Sequence, residues 1–166
     1  MVESQNLYHI HDMPRRYESA VKNMKSKKIT TGNKTLILEF DRYLKVNMNI
    51  TLTRRIKYVR ILTTCAEFLG KDFKKAKMKD IQLVVEKIED SDWASATKKD
   101  YKMLLKRYYK YLLGNDEEYP KIVKWIKARL EYNINTRKEE LLTEEDINKM
   151  LSVAQNYRDK AFIHVL

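Results

Sequence analysis

Lys99, Lys102, Lys106 and Lys110 recur at three- and four-residue spacing, and at about 100° per residue they fall on one stripe of a helix. Lys98 adjoins the stripe. Ammonium groups spaced this way suit successive phosphates of a nucleic acid, or a major groove wide enough to admit a helix. Between residues 97 and 113 the only acid is Asp100, so little in the segment balances the charge. A second cluster, Arg54, Arg55, Lys57 and Arg60, falls at the start of another helical pattern. Cations there oppose the positive end of the helix dipole, a conflict that a polyanion removes. Arg55 and Arg60 flank the apolar side, where long stems lie over core residues, so Arg54 and Lys57 are the stronger contact candidates. Lys22, Lys25, Lys27, Lys28 and Lys34 form a third cluster, of the kind that often only solubilises a junction.

Other reactive side chains lack the company that chemistry needs. Tyr101, Tyr108, Tyr109 and Tyr111 lie in the same helical segment as the lysines and read as packing residues. Cys65 falls within an apolar helix and reads as a small core side chain. His9 and His11 have no third metal ligand nearby, and His164 sits in an apolar final segment. Trp93 and Trp125 are flanked by helix-forming apolar residues, and Glu117 and Glu118 lie in an acidic turn with no apolar pocket to raise their pKa. No phosphate-binding glycine loop is present. Catalytic residues, metal and cofactor are therefore all expected to be none.

The elements that must carry the basic residues are helices. Pro14 starts a short basic helix ending near Lys28, and Thr30, Thr31 or Asn33 caps the next, in which Leu36, Ile37, Phe40, Tyr43 and Leu44 recur at helical spacing. A third runs from Thr51 or Thr53 to Leu69, with Gly70 as its stop. A shorter helix over 79–88 follows. The next spans 95–113, capped by Ser95 or Thr97 and closed by Gly114. Pro120 opens a further helix over KIVKWIKARL, and EYNINTRKEE reads as a linker.

Composition agrees. With 34 Lys+Arg against 23 Asp+Glu in 166 residues, the net charge of +11 favours polyanionic partners, and 43% apolar residues suffice for a core. Three glycines and two prolines argue against a turn-rich β fold. One cysteine excludes an internal disulfide and suits a reducing cytoplasm. No apolar run approaches the roughly 20 residues of a membrane span. A cytoplasmic all-α protein with no membrane and no small-molecule ligand is the expectation.

Two segments carry a family resemblance. LLTEED, followed by NYRDKAFIHVL, resembles the opening of the catalytic domain of a tyrosine recombinase of the phage-integrase superfamily. The preceding order is similar to the core-binding domain of archaeal-type integrases: NKTLILEFDRYLKVN, TRRIKYVRILTTCAEFLGKDF, a short helix after MKDI, ATKKDYKMLLKRYYKYLLG, then EYPKIVKWIK. The resemblance implies a SAM-like helical bundle that grips double-stranded DNA with two helices. By position those are the third helix and the 95–113 helix. The implied organisation is a leader and basic helix at 1–29, a core-binding domain at 30–130, a linker at 131–140, and at 141–166 the first helices of an incomplete catalytic domain. The family's catalytic arginines, lysine, histidine and nucleophilic tyrosine have no counterparts in the chain. Other recombinase subunits are implied as further partners. The alternative is a regulatory or interaction module that pairs or competes with an intact recombinase.

Overall fold

Asp12 accepts a hydrogen bond from the Arg15 backbone N–H at 3.0 Å and so caps α1, Met13–Ser26, with Pro14 in its first turn. Thr30 caps α2, Thr31–Val46, through the Asn33 N–H. α3 runs Leu52–Leu69 and stops at Gly70, whose φ of 67° lies in the left-handed region that a Cβ disfavours. A 3₁₀ turn, Phe73–Lys75, leads to α4, Met78–Glu89; then come α5, Ser95–Leu112, and a single turn, α6, Lys121–Lys124. α7, Glu144–Val153, and α8, Tyr157–Ile163, complete the order. The computed structural model describes residues 12–114, 118–129 and 142–164, and all regular elements among them are helical.

The chain divides into two compact units, Met1–Leu130 and Glu131–Leu166. In the first, α3 is the hub and packs against α1, α2, α4 and α5. Its buried residues include Ile56, Val59, Ile61, Leu62, Cys65 and Ala66, which spread around more than one face. Such a helix is a core element rather than a surface one. Ile37, Phe40 and Leu44 of α2, Ile81, Val84 and Ile88 of α4, and Leu104, Leu105 and Tyr108 of α5 close around it. Phe40 and Phe73 both meet the Tyr108 ring edge-on, at 5.3 and 4.8 Å between centroids. Asn33, buried in the first turn of α2, donates from Nδ2 to the Lys71 carbonyl and accepts at Oδ1 from the Phe73 N–H, both at 2.9 Å. That side chain fastens the 71–73 turn to α2.

In the second unit, Thr143 and Asp146 cap α7 reciprocally, and Asn156 caps α8 by accepting from the Asp159 N–H at 2.8 Å. No residue of either helix is buried.

Two helix ends differ from expectation, and at a third one of the three cap candidates is the cap. The N-cap of α5 is Ala94, with no side-chain cap, rather than Ser95 or Thr97. Asn33 lies inside α2 and spends its amide on tertiary bonds instead of capping. After Pro120 the helix lasts only from Lys121 to Lys124, and Trp125, at its C-cap, donates its indole N–H to the Ile122 carbonyl at 2.8 Å. The leader with His9 and His11, the linker and Glu117 lie outside the described residues.

Candidate nucleic-acid interface

Arg54, Lys57 and Arg60 leave α3 on its exposed side, and Arg16 of α1 joins them in lining an open groove of about 620 Å³. Thr51 and Thr53 at the start of α3 and Thr97 in the first turn of α5 also line it. The N-termini of two 18-residue helices thus meet one groove, and neither has a side-chain cap. Their helix dipoles add partial positive charge to the four cations. Asp100 is the one carboxylate in the lining among the described residues, and it forms an ion pair with Lys57. Anions are the ligands that this arrangement favours.

Arg55 does not belong to this surface. It is 8% exposed and turned into the bundle, where its Nε donates to Asp41 Oδ1 at 2.9 Å and its Nη2 donates to the other oxygen. Tyr17 of α1 donates its hydroxyl to Asp41 Oδ2 at 2.6 Å, and its ring lies beneath the guanidinium. Burial, reinforced by Asp41, pushes the Tyr17 hydroxyl up to about 12. The bond to Asp41 is also the main cause that raises the Arg55 pKa. This cluster ties α1, α2 and α3 together.

Of the expected lysine stripe on α5, one member is turned away from solvent. Lys102 is 9% exposed and pairs with Glu89 of α4 at 2.6 Å. Lys98 donates to the Glu89 carbonyl at 2.6 Å. Lys106 donates to the Ile126 carbonyl at 3.1 Å with its ammonium 4.5 Å from the centre of the Tyr119 ring, and Lys110 approaches the same ring at 5.6 Å. Lys99 is half-buried. Neighbours lie on two sides of α5: α4 meets Lys98 and Lys102, and the 119–126 segment meets Lys106 and Lys110. What α5 brings to the groove is its first turns: Thr97, Asp100 and Tyr101.

Of the residues expected from sequence, Arg54 and Lys57 come together here. Arg16 and Arg60 join them, with Thr51, Thr53 and Thr97. Arg16 belongs to a basic pair, Arg15–Arg16, that carried no signal until α1 packed on α3. Burial raises the pKa of Tyr101, Tyr108, Tyr109 and Tyr111 on α5. Cys65 is buried, its thiol pushed up to about 12. Trp93 packs against the rings of Phe68 and Tyr101. The chain matches no known family model, no curated protein and no solved structure.

Proposed function

We propose that this chain binds double-stranded DNA as the core-binding part, a SAM-like bundle, of a site-specific tyrosine recombinase, and that it holds the duplex without cutting it. One observation carries the reading: four cations, Arg16, Arg54, Lys57 and Arg60, share an open groove with two uncapped helix N-termini and a single carboxylate. A duplex presents one negative charge per about 1.7 Å of axis, so several cations on one rigid surface can meet phosphates together.

The test is fluorescence anisotropy against salt, with duplex, single-stranded DNA and RNA as probes. With about four phosphate contacts, log K for duplex should fall with log salt at a slope near −3 to −4. Arg54→Ala with Arg60→Ala should make it shallower by about two, whereas Lys102→Ala, which removes a side chain already held by Glu89, leaves it unchanged. Asp100→Asn frees Lys57 and tightens binding. A slope insensitive to Arg54 and Arg60 would remove the groove from the interface, and equal affinity for all three probes would remove the preference for duplex.

A second reading draws on the other unit, where Val153 is 76% and Phe162 72% exposed. Apolar surface of that kind favours a protein partner, as in a regulatory module that pairs with an intact recombinase. Inhibition of a recombinase without loss of its DNA binding is the outcome specific to that reading.

A further inference from the structure

Asp100 lines two hollows. Besides the groove, it borders a smaller one of about 260 Å³, together with Tyr58 of α3, Met103, Leu104 and Arg107 of α5, and Tyr119. The two therefore adjoin at the Lys57–Asp100 ion pair. Tyr58 follows Arg54 by four residues and shares its face of α3. Arg107 follows Asp100 by about two turns of α5, or about 10 Å along the axis.

Three side chains of the smaller hollow carry donors that the fold does not use. Arg107 is half-buried, and among the described residues it has no ion pair and no hydrogen bond; its guanidinium lies 6.0 Å from the centre of the Tyr58 ring. The hydroxyls of Tyr58 and Tyr119, both half-buried, likewise have no hydrogen-bond partner among the described residues. Lys106 and Lys110 approach the Tyr119 ring and fix it against α5. The one carboxylate among the described lining residues is Asp100, already paired with Lys57. Met103, 43% exposed, and the buried Leu104 supply apolar surface. A guanidinium and two phenols beside apolar surface suit a sugar–phosphate, with the donors to phosphate oxygens and the apolar side chains against the sugar. A carboxylate ligand would satisfy the guanidinium as well. The adjoining groove, with its four cations, is what selects a phosphate chain.

Resting on the duplex-binding reading above, we infer that this hollow holds one further backbone phosphate of the same duplex, with Arg107 as its charged contact and the Tyr58 and Tyr119 hydroxyls as neutral donors. At about 3.4 Å of axis per nucleotide of one strand, it takes a phosphate about three nucleotides beyond Asp100.

The experiment measures duplex affinity against salt for Arg107→Ala, for Arg107→Lys, for Tyr58→Phe with Tyr119→Phe, and for Arg54→Ala with Arg60→Ala. Lys102→Ala, which removes a charge from the same helix outside both hollows, is the control. An unchanged melting temperature verifies that each variant is folded, and Arg107→Gln, which keeps most of the stem, replaces Arg107→Ala if the latter melts lower. Arg107→Ala is expected to make the slope shallower by about one, and Arg107→Lys to restore it. The two-tyrosine variant is expected to bind roughly tenfold more weakly at the parent's slope, because a phenol displaces no counterion. A slope unchanged in Arg107→Ala but shallower in the Arg54, Arg60 variant sinks the hollow and keeps the groove; slopes unchanged in both sink both. An equal change in Lys102→Ala would show a general charge effect and overturn the inference, as would parent affinity in the two-tyrosine variant.

Discussion

α3 and α7 obey the same local rules and differ in what surrounds them. α3 has an apolar face and a glycine stop, and α7 has a reciprocal cap with three acids in its first turn. Nine residues of α3 are buried against four other helices, whereas α7 buries none. Charge divides the same way. Five of the 34 Lys+Arg and seven of the 23 Asp+Glu lie past residue 130, leaving the first unit at +13 and the second at −2. Capping and pattern thus suffice to form a helix, but not to give it a core or a binding surface. A short helix without tertiary support is marginal in water.

Hydrogen exchange gives this contrast its largest readout. Amides of Val59 and Leu62 should exchange only through global opening, on a scale of roughly 5–15 kcal/mol, and those of α7 and α8 through local fraying near zero. Protection in α7 equal to that in α3 would break the comparison.

Next in size is the Asp41 cluster. Asp41→Ala leaves Arg55 charged and buried without its partner, which should cost the first unit about 3–5 kcal/mol in urea denaturation. Thr143→Ala, which removes a cap in the second unit, should cost about 1 kcal/mol of helix stability and leave the main unfolding transition in place. Similar losses from the two substitutions would mean that the units share one cooperative transition.

Smaller still is the effect at Tyr108, whose buried hydroxyl has no hydrogen-bond partner among the described residues. Tyr108→Phe should leave stability unchanged or raise it by up to about 1 kcal/mol, because it removes a desolvated group that returns nothing. A loss above that range, measured by thermal melting, would reveal a partner for the hydroxyl.

The last difference lies in pH. The Thr143 hydroxyl and backbone hold the Asp146 carboxyl below its ordinary value. A lowered folded pKa gives stability that is complete above the unfolded value, near pH 4, and lost as pH falls through the folded one. Helicity of α7 should therefore drop in acid. Tyr17 runs the other way: its raised pKa gives stability that is complete below pH 10 and lost as pH rises through about 12. Circular dichroism across both ranges checks the pair; acid loss that is unchanged in Asp146→Asn would assign it elsewhere.

The all-α class and most helices are determined by sequence alone, because caps, stops and apolar spacing act within a few residues of one another. Thr30, Gly70 and Thr143 each work in the place that their chemistry implies. The site was legible only in part. Arg54 and Lys57 follow from the placement of basic residues at a helix start, but Arg16 and the two converging N-termini arise from packing. Arg55 and Lys102 show why. A helical wheel gives each side chain an angle about one axis; it leaves Lys102 to solvent and sets Arg55 at the flank of the apolar side, and names a partner for neither. Tertiary structure places the buried Asp41 and the exposed Glu89 within reach, and each draws a long cation to itself. Which charges remain for a partner is thus a property of neighbouring helices, decided when distant segments meet.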